Sequence, residues 1–205
     1  MPLAALGARV TVVDPSPDAL ASLARRAREA GVIERVTGMQ GDVDSLDELI
    51  ATGETDLVLA HGVLEVVEDL PRAVRALART LAGGGVLSVL AAGRAAAVLH
   101  RALAGRIVEA VQVLTDPAGR VGPHDPFLRR FDVSGLTSLL IDAGLQVELV
   151  QGDAVVADLI ASSALESGSG GAAALARLEL AASGDGALRE IASRLHALAR
   201  LPRSV

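Results

Sequence analysis

The feature that most constrains this chain is an alternation of short apolar runs, rich in β-branched residues, with amphipathic stretches that carry helix caps. "ARVTVV" at residues 8–13 reads as a strand covered on both faces. Ser16, Pro17 and Asp18 then supply a cap, a first-turn proline and an acid at the positive helix end, and Gly31 closes the far end. Between them Leu20, Leu23, Ala24 and Ala27 share one helical face. The unit recurs. "RVTGMQGD" is a short strand ending in Gly41 and Asp42, and Ser45 to Glu48 has the spacing of a capping box. "TDLVLAHG" is a buried strand, followed by a helix capped by Asp69 with Pro71 in its first turn and glycines 83 to 85 after its end. "GVLSVLAA" is a further strand, and a helix follows over Arg94 to Ala104. Strands and helices alternating through short links require right-handed crossovers, hence an α/β chain with a doubly wound, mostly parallel sheet.

Beyond residue 105 the pattern loosens. "TDPAGRVGPHDPFLRR" carries three prolines and reads as a loop over the ligand edge of the sheet. Ser134 is placed to cap a helix ending at Gly144, and "LQVELVQ" alternates as a strand does. "ESGSGG" at 166–171 reads as a flexible link, and "RLHALARL" fits either a last strand or the tail of a helix. The 205 residues suit a single domain spanning 1–205, with residues 105–133 and 154–190 as a substrate-side loop and helical additions.

Composition narrows the function. No apolar run reaches the length of a membrane span, and the start lacks the pattern of a secretory signal, so the expectation is a cytoplasmic protein with no membrane partner. With no Cys and no second His at ligand spacing, no metal site is expected. All 19 basic residues are Arg, and the net charge of -6 argues against a broad electrostatic footprint on nucleic acid.

In an open parallel sheet, ligands bind at the carboxyl ends of the strands. Three such ends carry chemistry here: Asp14 with Pro15, Gly41 with Asp42, and His61 with Gly62. A carboxylate accepts hydrogen bonds through two oxygens, so Asp14 suits both hydroxyls of a ribose, and Asp42 suits an exocyclic amine such as that of adenine. Each also has a plainer reading: Asp14 as a turn former, Asp42 as a cap, His61 as a satisfied or solvent-facing histidine. Acids at equivalent ends of successive strands favour an adenosine-bearing ligand.

The stretch "DLVLAHGVLEVVEDLPRAVRALARTLAGGGVLSVL" resembles the class I S-adenosylmethionine-dependent methyltransferases, with Leu81 to Leu87 matching the family's "LxPGGxL" and Gly83 where its proline usually stands. "HGVLEVVED", "GGVLSVL", "VLHRALAGR", "RRFD" and "RLHALAR" look nearest to the branch of bacterial tRNA 5-carboxymethoxyuridine methyltransferases and their actinobacterial relatives. The resemblance implies a Rossmann-like fold, S-adenosylmethionine as cofactor, and a small molecule or tRNA as methyl acceptor. It implies that Asp14 holds the ribose hydroxyls, Asp42 the adenine amine and Val43 the ring through its N–H. His61 and Gly62 would line the methionine end, with Leu64 and Glu65 a wall beside the methyl group. No general base is implied.

Two departures from that pattern shape the expectations. The family's first strand and glycine-rich loop would stand roughly 20 residues ahead of "PLAALG", so the sheet is expected to lack its first strand here. The tRNA-modifying relatives carry aromatic and polar residues where this chain has Ala91, Ala92 and Gly93, and an arginine with aromatics where it has Ala154 to Ala157 before Asp158. Arg129 and Arg130 remain to hold an anionic substrate, or else form a solvated face. Two alternatives stand beside methyl transfer: a non-catalytic adenosine-ligand or partner-binding protein that has lost the glycine loop, and a nicotinamide oxidoreductase.

Overall fold

The computed structural model describes residues 1–160 and 170–203. The residues form two compact units, 1–52 and 53–205.

In the first unit, α1 (Pro2–Ala5) precedes β1 (Val10–Asp14), α2 (Pro17–Glu29), β2 (Val36–Gln40) and α3 (Leu46–Leu49). α2 starts as its sequence dictates, because Ser16 accepts from the Ala19 amide and Pro17 needs no partner for a missing N–H. It ends at Gly31, whose φ of 66° is the left-handed value that favours glycine. β1 and β2 run parallel, with Val10 opposite Val36 and Asp14 opposite Gln40. The core is small: Ala4, Ala27, Val32 and Val36 are buried, with Val10 and Leu23 packed against them.

The capping box expected at Ser45 lies one turn earlier. Asp42 is the cap of a 3-10 turn at Val43–Ser45, and Ser45 is its third residue, with the Asp42 amide donating to the Ser45 hydroxyl. An Asp accepts from two amides at once where a Ser at the next capping position would compete with its own turn, so the earlier residue wins.

The second unit is built on one four-stranded sheet in the order β3-β4-β6-β5. β3 (Thr55–His61), α4 (Leu70–Thr80) and β4 (Leu81–Ala92) make a parallel strand-helix-strand unit. Then come α5 (Arg94–Leu103), α6 (Ile107–Thr115), α7 (Val133–Asp142), β5 (Gln146–Asp153), α8 (Gly171–Gly184) and β6 (Arg194–Arg200). β6 inserts antiparallel between β4 and β5, which decides "RLHALARL" as a strand and makes the sheet mixed. α7, whose Leu136 and Leu140 are fully buried, packs against β6, and the β6 residues Leu195, Ala197 and Ala199 are fully buried as well. The residues between them point the other way, the period of two that a helix cannot match.

Three further expectations shift. The helix after Asp69 stops at Thr80, and glycines 83 to 85 lie inside β4, where a register irregularity opposite Thr55–Leu57 takes up the extra residues. α7 is capped by Asp132, which accepts from the Gly135 amide, rather than by Ser134. The region after residue 105 holds α6, whose short amphipathic run was hidden in the loosened pattern. Residues 166–169 of the expected flexible link lie outside the described residues. Among the described residues, β1 pairs only with β2 and β3 only with β4, so each is an edge strand within its own sheet.

Candidate functional site

In the first unit the parallel pair brings its two carboxyl ends side by side, so Asp14, Pro15, Gly41, Asp42 and Val43 share one edge. The Gly41 amide donates to the Asp14 carbonyl at 3.3 Å, and Gln40 reaches the Pro15 carbonyl at 3.3 Å. Asp14 is half-buried, and its Oδ1 accepts from the Ser16 amide at 2.8 Å, the local turn that Asp-x-Ser favours. Among the described residues Oδ2 has no donor on it. Asp42 holds its cap through Oδ1, which accepts from the Asp44 and Ser45 amides at 3.0 and 3.1 Å. Gly41 leaves room for its neighbours: a Cβ there would have to displace the Leu49 side chain and the Ser45 hydroxyl.

In the second unit β3 ends at His61, and the tight turn after it uses Gly62 at φ 69°, whose amide donates to the Leu90 carbonyl at 2.9 Å. His61 is exposed, but its Nε2 lies 2.9 Å from the Ser88 hydroxyl. Ser88 in turn lies 2.9 Å from Nε2 of His196, whose Nδ1 is 3.2 Å from the Gln151 amide group. One hydroxyl proton cannot serve two acceptors, so at least one imidazole donates to the Ser88 oxygen. Burial, then the neighbouring His196, push the His61 pKa below its ordinary 6.5. The sequence singled out His61 but not this relay, because Ser88 and His196 stand 27 and 108 residues from their partners.

The turn after Gly62 is packed. Leu64 is fully buried, a core residue with no open face. Glu65 is 3% exposed; Oε1 accepts from the Ala92 amide at 2.7 Å, and Oε2 has no partner among the described residues. Arg129 belongs to this turn. Its guanidinium donates to the Leu64, Val67 and Glu68 carbonyls, so the expected substrate anchor or solvated face is instead a clamp on backbone. Arg130 is also withdrawn from solvent, in a bidentate pair with Asp125 whose side chains are 6% and 1% exposed. Spacing did not reveal either role because both partners are brought in by loop closure.

A cavity of about 290 Å³ opens at the carboxyl end of β4 in the second unit, lined by Ala92 and Gly93, by residues of α5, and by Phe127, Arg130, Asp158 and Ser193. The described residues contain no group of three metal-ligating side chains, and no described helix is long and apolar enough to cross a membrane.

The architecture is the class I methyltransferase fold. The solved S-adenosylmethionine-dependent methyltransferase from Methanosarcina mazei superposes with a TM-score of 0.63 at 17% identity, over 99% of this chain and 86% of that one. The [4+2]-cyclase SpnF superposes with a TM-score of 0.60 at 18% identity, over 96% of this chain and 67% of that one. Residues 1–89 match the family described as Methyltransferase domain. A ubiquinone biosynthesis O-methyltransferase from Methylobacterium sp. (strain 4-46) is 37% identical over 86 residues, which are 42% of this chain and 32% of that protein. The chain thus matches about a third of the length of that curated relative.

Proposed function

We propose that this protein transfers a methyl group from S-adenosylmethionine to a small-molecule acceptor. The observation that carries the reading is the match of residues 1–89 to the methyltransferase domain, over the segment that sets Asp14 and Asp42 at adjoining strand ends. The donor set fits an adenosine. Asp14 keeps one carboxylate oxygen on the Ser16 amide and presents the other to a ribose hydroxyl. Asp42 is held by its cap at Oδ1 and offers its second oxygen to an exocyclic amine, with the Val43 N–H directed to the ring. Bound S-adenosylmethionine supplies a methyl already activated on a sulfonium. What remains for the chain is to bind the adenosine, exclude water and orient the nucleophile, and such positioning accounts for much of the acceleration in an in-line displacement.

A small molecule is favoured over the tRNA acceptor of the branch the motifs resemble. The net charge is -6, and two Phe with no Tyr or Trp leave little surface for stacking bases. The similarity to an O-methyltransferase of ubiquinone biosynthesis supports the same choice. The fold by itself does not fix the chemistry, since a [4+2]-cyclase shares it, and the second reading is an adenosine-ligand protein that does not methylate.

Calorimetry with S-adenosylhomocysteine and with NAD tests the proposal. S-adenosylhomocysteine should bind, and Asp14→Ala should weaken it by about 1.5–3 kcal/mol, the usual worth of hydrogen bonds to a charged group. Binding of NAD in its place refutes the reading. Tight binding by a protein that methylates no member of a broad acceptor panel supports the second reading.

A further inference from the structure

We infer that the cavity at the carboxyl end of β4 is a binding site for a small organic acid, a single carboxylate on an apolar body. The inference rests on the methyl-transfer reading only in naming this acid as the class of acceptor; the cavity's chemistry stands by itself. Its place is right for a ligand, since open sheets bind at the carboxyl ends of their parallel strands. At about 290 Å³ it lies at the small end of the range for ligand pockets.

The charge within it is unevenly placed. Arg130 is consumed by its bidentate pair with Asp125, and its guanidinium lies 5.1 Å over the Phe127 ring. Arg101 and Arg106 share a single acid: Glu109 lies 3.4 Å from Arg101 Nε and 3.2 Å from Arg106 Nη1. Two guanidiniums therefore share one carboxylate, at a site where the Arg101 side chain is only 16% exposed. Burial, then the like charges of Arg130 and Arg106, push the Arg101 pKa down, more than Asp125 and Glu109 raise it. Asp158, which also lines the cavity, supplies the third acid but is exposed.

Two buried polar atoms in the wall make no hydrogen bond among the described residues: the Ser193 hydroxyl, and Arg101 Nε, which Glu109 faces at 3.4 Å without forming one. Buried donors are nearly always satisfied, so two such orphans lining one cavity mark the place of a missing acceptor. A carboxylate has the geometry for it, since its two oxygens can take one N–H and one O–H together. Ala92, Ala96 and Ala97, with the Phe127 ring, form an apolar wall, which calls for a hydrocarbon or aryl body rather than a bare anion.

Nuclear magnetic resonance titrations of the full chain with benzoate, benzamide, benzylamine and inorganic phosphate test this. Benzoate should bind and shift the Arg101 Nε–H resonance, with benzamide and benzylamine at least tenfold weaker. Arg101→Gln should lower benzoate affinity tenfold or more. Ser193→Ala should lower it several-fold while leaving the thermal midpoint unchanged, because the hydroxyl it removes bonds to none of the described residues. Equal binding of benzamide, benzoate affinity untouched by either variant, or phosphate binding tighter than benzoate overturns the inference. S-adenosylhomocysteine titrated into the same samples separates the two readings. Its failure to bind beside intact benzoate binding removes the methyl-transfer reading alone, and the converse removes the acid site alone.

Discussion

Replacing Asp125 by Asn should unlatch the loop that roofs the ligand edge of the second unit. The carboxylate accepts four hydrogen bonds: Oδ2 from the Val121 amide at 2.8 Å and Arg130 Nη1 at 2.7 Å, Oδ1 from the Phe127 amide at 3.0 Å and Arg130 Nη2 at 3.1 Å. Burial pushes its pKa up, but the Arg130 bonds and the two backbone amides outweigh that and hold it at about 2, from an ordinary 3.8. That fall is worth ~2 to 3 kcal/mol of preference for the charged form. Asn keeps the shape but sets an NH2 group against donors and strands a guanidinium that is 6% exposed, and breaking a buried pair from one side costs about 3–5 kcal/mol. The two routes agree on ~3 kcal/mol. The assay is urea unfolding followed by circular dichroism, since the chain has no Trp or Tyr to report by fluorescence. With slopes of about 1–3 kcal/mol per molar urea, the midpoint should fall by roughly 1–3 M. The sign with pH follows from a lowered carboxyl pKa: the contribution is complete above about pH 4 and is lost as pH falls toward 2, so the gap between wild type and variant should narrow there. A midpoint change below about 0.3 M, or a gap constant with pH, refutes the reasoning.

Three further outcomes follow from other contacts. Gly93→Ala places a Cβ 2.2 Å from the Ala192 carbonyl oxygen, a clash with backbone rather than with a flexible side chain. It should cost about 1–3 kcal/mol or more in urea unfolding, and an unchanged midpoint would show that β4 and the Ala192 segment move apart freely. His61 has a lowered pKa, so its stabilising neutral form is complete above 6.5 and is lost as pH falls through that value toward the native pKa, because the unfolded chain takes the proton first. The thermal midpoint should therefore drop on acidification, with a shallower slope in His61→Gln; identical slopes would count against the relay. Ser88→Ala deletes the hydroxyl that both imidazoles share, and should lower stability by about 1–3 kcal/mol and move the His61 ring resonances in a histidine resonance experiment.

Much of the fold was legible because local chemistry repeats. Strand ends marked by Asp14, Asp42 and His61, caps at Ser16 and Asp69, and glycines at 31 and 144 are set by neighbours within a turn, so spacing suffices to find them. The errors fall where two local solutions compete. Asp132 and Ser134 both offer a capping oxygen, and glycines 83 to 85 suit a helix end as well as an irregular strand. Arg129 and Arg130 show the same limit in the candidate site. As sequence they are a basic pair, and in the structure one clamps backbone 61 to 65 residues away while the other is locked to Asp125.

The amino-acid sequence by itself determined the α/β class, the order of elements and the acids at the strand ends, because periodicity and capping act over a few residues. The tertiary structure alone decided that the last segment enters the sheet antiparallel between β4 and β5, that Ser88 joins two histidines, and that Arg101 and Ser193 line one cavity. Those are meetings of residues tens of positions apart. They depend on which faces pack and which loops close, and no local pattern carries that.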